Sequence, residues 1–60
     1  VDEVTKIAIE QTQGGQATDW DLDREGAVTY WEVDVENGKQ EATVKIHAQT
    51  GEVLEVELDD

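Results

Sequence analysis

The last third of the chain contains the feature that most limits how it can fold, a pair of alternating segments joined by a short turn. Residues 42–48 and 52–58 alternate apolar with polar side chains, as half-buried β-strands do. Between them, Gly51 suits the positive φ that a three-residue hairpin loop requires, and the loop would place Ala48 opposite Glu52. The apolar pairs predicted by this loop are Ile46 with Leu54, Val44 with Val56, and Ala42 with Leu58. All three pairs would lie on one face of a sheet.

Two more glycine-containing dipeptides predict two further hairpins. Glu25-Gly26 separates a first alternating segment, residues 17–24, from a second that ends at Asn37-Gly38. The Asn-Gly dipeptide is a strong hairpin signal, because a type I′ turn requires positive φ at both central positions. If each dipeptide forms the turn, the predicted pairs are Trp20 with Trp31, Leu22 with Thr29, Val33 with Ala42, and Trp31 with Val44. These registers also keep the apolar residues on one face.

The N-terminal segment has helical periodicity. Its apolar residues recur at helical spacing at Val1, Val4, Ile7 and Ala8. Asp2 and Glu3 would complement the helix dipole in the first turn, and Gly14-Gly15 would end the helix. The pattern therefore predicts a helix of about three turns that covers the apolar face of the sheet.

Together these elements predict an α+β fold, with one N-terminal helix packed on an antiparallel β-meander of three to four strands. Residues 1–60 are expected to form a single domain, since a chain of this length holds one core. The sheet residues expected in that core are Trp20, Leu22, Trp31, Val33, Val35, Val44, Ile46, Leu54, Val56 and Leu58. The opposite face would expose Tyr30, Lys45 and the carboxylates of Asp19, Asp21, Asp23, Glu32, Asp34, Glu36, Glu41, Glu55 and Glu57.

The charge of the chain limits its partners. Sixteen acidic and four basic residues give a formal net charge of −12. Nucleic acids and anionic membranes are disfavoured, because lysine and arginine drive their binding. A basic protein surface or a divalent cation would be favoured instead.

No catalytic or metal site is predicted. Asp19, Asp21 and Asp23 resemble the start of a calcium loop, but Arg24 stands where such a loop needs glycine and Tyr30 where it needs glutamate. Alternate carboxylates in a strand are also nearly 7 Å apart, too far for three to grip one ion. The chain has one histidine and no cysteine, so nucleophilic catalysis and zinc binding lack the partners they need. We therefore expect no enzyme activity and no cofactor. A cation-binding domain is the weakest of three hypotheses for the function.

Four features of the sequence together match a known family. They are the alanine-containing helix that ends at Gly14-Gly15, the alternating strand at residues 30–35, the Asn-Gly turn that follows it, and the segment Ala48-Gln49-Thr50-Gly51-Glu52-Val53-Leu54. In these features the chain resembles the PepSY family, the domain of peptidase propeptides. The sequence departs from the family pattern at His47, where an acidic residue is usual.

The resemblance implies a non-enzymatic module that binds and regulates or inhibits a peptidase. It also implies an extracellular or bacterial cell-envelope location, and a domain excised from a longer secreted or membrane-associated protein. If the acidic face docks on a basic surface of the peptidase, the candidate partner-binding residues are Glu32, Asp34, Glu55 and Glu57. The alternative is a structural or sensory module of an envelope protein, packed against neighbouring domains.

Overall fold

The fold is a helix on a four-stranded sheet, seen in a computed structural model that describes residues 2–12 and 14–59. Within these residues the elements are α1 (Asp2–Gln11), β1 (Gln16–Glu25), β2 (Val28–Asn37), β3 (Gln40–His47) and β4 (Val53–Asp59). The strands form one antiparallel sheet in the order β1-β2-β3-β4. The predicted helix-and-meander architecture is confirmed. Val1, which the pattern assigned to the helix, lies outside the described residues.

Helix α1 is fixed to the sheet by its apolar stripe and by two polar contacts. Val4 and Ala8 are buried against the sheet. The indole nitrogen of Trp20 donates a hydrogen bond to Thr5 Oγ1 at 2.8 Å. Near the end of the helix, Asn37 Nδ2 donates to the carbonyl oxygen of Thr12 at 3.4 Å. These contacts hold the helix across the middle of one sheet face, which we call the inner face.

The core lies between α1 and the two central strands. Its buried residues are Val4, Ala8, Val33, Val35, Val44 and Ile46. Ile7, Ala17, Trp31 and Val53 are partly buried against this cluster. Most of the predicted inner-face residues of β2 and β3 therefore do form the core.

The predicted core was too large at the edges of the sheet. Leu58 is 72% exposed and Leu22 57% exposed, and Trp20, Leu54 and Val56 are also exposed. Trp20, Leu22, Val56 and Leu58 are on the edge strands β1 and β4. They are exposed because a single ten-residue helix, about 15 Å long, covers mainly the central strands, whereas a ten-residue strand spans about 33 Å. Leu54 is exposed because a bulge in β4 turns it to the other face of the sheet.

The first two hairpins have the predicted faces but a different register. Their turns are Gly26-Ala27 and Gly38-Lys39, one residue later than predicted. The observed pairs are Trp20 with Val33, Leu22 with Trp31, Val35 with Ala42, and Val33 with Val44. Gly26 has a φ of 63° and Gly38 a φ of 65°, so each glycine supplies the positive φ of the first central position. Moving a turn by one residue shifts the pairing by two, which leaves every side chain on its predicted face.

The third hairpin confirms two of its three predicted apolar pairs. Ala42 lies opposite Leu58 and Val44 opposite Val56, but Ile46 lies opposite Val53 instead of Leu54. The register shifts at this point, so Leu54 is the extra residue of a β-bulge. Val53 consequently packs on the core, and Leu54 lies on the outer face of the sheet, opposite the helix.

The loop of the third hairpin also differs from its prediction. Gly51 has the expected positive φ, at 77°. However, His47 rather than Ala48 is bonded to Glu52, through its backbone N–H at 2.8 Å from the Glu52 oxygen. Ala48 instead donates its N–H to the carbonyl oxygen of Thr29 at 2.9 Å, which ties the loop to β2. The loop is thus held by hydrogen bonds to β3, through His47, and to β2, through Thr29.

Candidate functional site: the acidic outer face

The outer face of the sheet carries most of the negative charge of the domain. We call this surface the acidic face; its carboxylates belong to Asp19, Asp21, Asp23, Glu25, Glu32, Asp34, Glu36, Glu41, Glu55 and Glu57. Strand alternation places them there, because each occupies an outward position of its strand. Among the described residues, Lys45 is the one lysine or arginine on this face.

The four predicted partner-binding residues lie in two adjacent rows of this face. Glu32 and Glu55 flank Lys45 in one row. Asp34 and Glu57 flank Thr43 in the next row. Within each row the two acidic residues are two strands apart, about 10 Å. Glu32 and Asp34 are half-buried, whereas Glu55 and Glu57 are exposed.

Lys45 and Thr43 organise the two rows. Lys45 Nζ lies 3.2 Å from Glu55 Oε2 and 5.6 Å from the centre of the Tyr30 ring. The hydrogen bond and the charge of Glu55 raise the pKa of Lys45 above its ordinary value. Thr43 Oγ1 donates to Asp34 Oδ1 at 3.0 Å. In these contacts Lys45 is not bonded to Glu32, and Thr43 is not bonded to Glu57.

Like charges face each other elsewhere on the acidic face. The turns predicted from the sequence would place Asp19 opposite Glu32 and Asp34 opposite Glu41, but the two-residue shift of the register changes both oppositions. The observed oppositions are Asp19 with Asp34, Asp21 with Glu32, and Glu36 with Glu41. Such pairs destabilise a sheet by up to about 1 kcal/mol each, and a basic partner would relieve the repulsion.

Tyr30 lies in an open recess on the same face. The sequence pattern predicted an exposed side chain, but Tyr30 is only 8% exposed. The recess has a volume of about 610 Å³ and is lined by Glu25, Val28, Tyr30, Lys45, Leu54 and Glu55. Leu54 reaches it because of the bulge in β4, which alternation alone could not reveal. Val28 could have indicated this recess from the sequence, because an apolar residue at an outward strand position extends the apolar surface beside Tyr30.

The environment of the Tyr30 phenol favours its neutral form. Its hydroxyl donates a long hydrogen bond of 3.5 Å to Asp23 Oδ2. Burial is the main cause that raises the pKa of Tyr30, and the charge of Asp23 raises it further. The positive charge of Lys45 acts in the opposite direction.

We expect the domain to lose stability above about pH 10, where both groups titrate in the unfolded chain. The folded pKa values of Tyr30 and Lys45 are raised, so their contributions are complete below the unfolded pKa and are lost as the pH rises through the folded pKa. Urea unfolding at pH 8 to 11, followed by tryptophan fluorescence, would measure the loss. Tyr30→Phe should reduce the slope in this range, and an unchanged slope would contradict the assignment to Tyr30.

His47 acts as a local cap of the third hairpin loop. Its Nδ1 atom accepts the backbone N–H of Gln49 at 3.1 Å and that of Thr50 at 3.3 Å. An aspartate would accept the same two N–H groups through its carboxylate, as in an Asx turn. The departure from the family pattern at this position therefore preserves the turn chemistry.

We expect His47→Ala to lower the free energy of unfolding by about 1 kcal/mol, because two loop N–H groups lose their side-chain acceptor. His47→Asp should restore most of this loss, since the carboxylate is also an acceptor. Urea unfolding of both variants is the measurement. Equal destabilisation by alanine and aspartate would contradict the capping role.

In the described part of the chain, no group of three or more histidine, cysteine, aspartate or glutamate side chains is arranged to hold a metal ion. Within the same residues, no helix is both long enough and apolar enough to cross a membrane.

Comparison with known proteins identifies the family. The model of the PepSY family, described as "Peptidase propeptide and YPEB domain", matches residues 1–57. The chain belongs to the PepSY family. A solved structure from Clostridium difficile 630, described as a "putative lipoprotein", is similar to this PepSY domain with a TM-score of 0.86 and 30% identity. The similarity covers 95% of this chain and 37% of that chain, while curated protein sequences give no significant match.

Family membership suggests a peptidase-related or regulatory module. PepSY domains are generally non-catalytic modules of the propeptide type, and they typically form part of larger proteins.

Proposed function

We propose that this PepSY domain is a non-enzymatic binding module that regulates or inhibits a peptidase by docking its acidic face on a basic surface of the enzyme. The observation that carries the proposal is the concentration of ten carboxylates on one sheet face. Among the described residues, Lys45 is the one lysine or arginine on that face. The proposed contact residues lie in two rows of this face. They are Glu32 and Asp34, which are half-buried, and Glu55 and Glu57, which are exposed.

The edges of the sheet favour docking through the face over strand addition. The two edge strands are β1 and β4. Each has a register shift, next to Thr18 in β1 and at Leu54 in β4. Bulges and charged side chains both discourage pairing with another strand. A partner strand that added to β1 or β4 would have to pair with a bulged, charged edge strand.

The docking mechanism is electrostatic. A surface of one sign attracts a complementary surface, accelerates association and loses this advantage as salt is added. Apposition of a basic surface would also relieve the repulsion between facing pairs such as Asp21 and Glu32. The domain would act as part of a longer secreted or membrane-associated protein, outside the cell or in its envelope.

The test is binding to secreted metallopeptidases from the source organism, with substrate cleavage followed in the same samples. We expect saturable binding, loss of cleavage, and weaker binding as salt is added. The double variant Glu55→Lys/Glu57→Lys should weaken binding at least about tenfold at low salt, because it reverses two charges on the acidic face. Absence of binding to every peptidase would contradict the proposal.

A matched control separates a local contact from a general charge effect. Glu3 and Glu10 are exposed on α1, away from the acidic face. Glu3→Lys/Glu10→Lys changes the net charge by the same amount as the test variant. We expect the control to weaken binding less than about threefold, since its charges are on the other side of the sheet. Equal effects would show that net charge, and not this face, determines affinity.

The second candidate function is a structural or sensory module that packs against a neighbouring domain of an envelope protein. It is favoured by the exposed apolar residues on the inner face, Leu58 and Leu22 above all. The similar structure is also longer, since the match covers only 37% of it. Under this alternative, Leu58→Ser would weaken packing in the full-length protein, and peptidase cleavage would be unaffected by the domain.

A further inference from the structure

The recess around Tyr30 differs from the rest of the acidic face because its floor is apolar. Val28 is 37% exposed and Leu54 44% exposed, and both lie beside the buried Tyr30 ring. Elsewhere the outward positions of this face are mostly carboxylates. An exposed apolar area with a charged rim is typical of a binding site, and about 610 Å³ is within the range of ligand pockets.

The rim of the recess is acidic, but its two carboxylates are not equivalent. Glu55 is already paired with Lys45, whose ammonium group lies 3.2 Å from it. Glu25 is on β1, next to Val28 in the sheet and two strands away from Lys45. No salt bridge to Glu25 is found in the described part of the chain. A cation that entered the recess would therefore meet Glu25 without displacing Lys45.

The field in the recess is negative despite Lys45. Apart from burial, which is the main cause, the charges of Asp23, Glu32 and Glu25 all raise the pKa of Tyr30, and Lys45 alone opposes them. Positive charge is therefore favoured near the phenol, and an anionic ligand is disfavoured.

We propose that this recess receives the side chain of a lysine or arginine from a partner polypeptide. Its aliphatic stem would lie on Val28 and Leu54, and its charged head would reach Glu25. Long basic side chains combine an apolar stem with a cationic head, so they match both the floor and the rim. A bare cation would leave the floor unused, and an apolar side chain would leave Glu25 unused. This inference rests on the proposed function, because it names the part of the acidic face that selects the partner.

The first test uses three blocked tripeptides that differ only at the central residue, titrated into the ¹⁵N-labelled domain and followed by NMR. The central residue is arginine, norleucine, which lacks the charge, or 2,3-diaminopropionate, which lacks the long stem. We expect the arginine peptide to bind at least about fivefold more tightly than the others, with shifts grouped at Val28, Tyr30 and Leu54. Equal affinities, or shifts spread over the whole acidic face, would overturn the proposal.

The second test uses variants that should not disturb folding. Val28→Thr keeps the shape and the β-propensity of the side chain but makes the floor polar. Glu25→Gln removes the rim charge, and Glu36→Gln removes one exposed charge of the acidic face outside the recess. We expect the first two variants to weaken binding of the arginine peptide about five- to tenfold, and Glu36→Gln less than about twofold. Similar losses for the two glutamine variants would show a general field instead of a specific recess.

The same variants separate this inference from the proposed function. If a peptidase binds, depends on Glu55 and Glu57, and is insensitive to Val28→Thr, the recess assignment is wrong while the regulatory proposal stands. If the arginine peptide binds in the recess but no peptidase binds the domain, the regulatory proposal is wrong and the recess assignment stands.

Discussion

Replacement of Ile46 by alanine is expected to lower the free energy of unfolding by about 2–5 kcal/mol. Ile46 has no exposed surface and lies between Trp31 on β2 and Val53 on β4. Truncation would remove apolar contacts and leave a cavity under α1. A 60-residue domain has a total stability of roughly 3–9 kcal/mol, so the substitution would remove a large share of it. Urea unfolding followed by tryptophan fluorescence is the measurement.

Leu58→Ala is the matched control. The sequence pattern places Leu58 on the same face as Ile46, but Leu58 is 72% exposed. Its truncation should cost only about 0.5 kcal/mol. If Ile46→Ala leaves too little folded protein to measure, Ile46→Val should still cost about 0.5–1.5 kcal/mol. Equal effects at the two positions would contradict a core confined to the central strands.

Gly15→Ala is expected to destabilise the domain by about 2–5 kcal/mol. Gly15 has a φ of 114°, which costs an L-residue about 1–2 kcal/mol. A Cβ atom at this position would also lie 2.9 Å from the backbone oxygen of Glu36 and 3.1 Å from a methyl group of Val35. Overpacking of this kind typically costs a further 1–3 kcal/mol, because β2 cannot move away without disturbing the core.

Gly14→Ala separates the two causes. Gly14 has a similar φ of 103°, but a Cβ atom there would meet nothing within 4 Å. Only the backbone term should remain, about 1–2 kcal/mol. Thermal unfolding followed by circular dichroism would compare the two variants. If Gly14→Ala were as destabilising as Gly15→Ala, the close approach of the α1–β1 connection to β2 would not matter.

The arrangement of the candidate site was predictable to the extent that it depends on alternation. Glu32 and Asp34 lie two residues apart on β2, and Glu55 and Glu57 lie two residues apart on β4, so each pair shares a face in any register. Which of these residues share a row across the sheet depends on the register. The predicted register of the first two hairpins was wrong by two residues. The apolar pattern has a period of two, so it cannot detect a shift of two.

The recess around Tyr30 could not be predicted from alternation. It depends on the bulge that turns Leu54 to the outer face, and the pattern assigned Leu54 to the core. A bulge adds one residue to one strand only, so its position depends on how the two strands and their loop fit together. The loop is held by the Ala48 N–H, which bonds to Thr29 on the distant strand β2, and by the His47 cap within the loop itself.

The sequence by itself determined the elements of this PepSY domain, their order and, outside the bulge in β4, the faces of its strands. Helix periodicity, strand alternation and glycine turns are local properties of the chain. The tertiary structure alone decided which apolar residues are buried. A short helix can cover only the central strands, so Ile46 is enclosed while Leu58 lies in water. It also decided the register and the recess, since both depend on how separate segments meet.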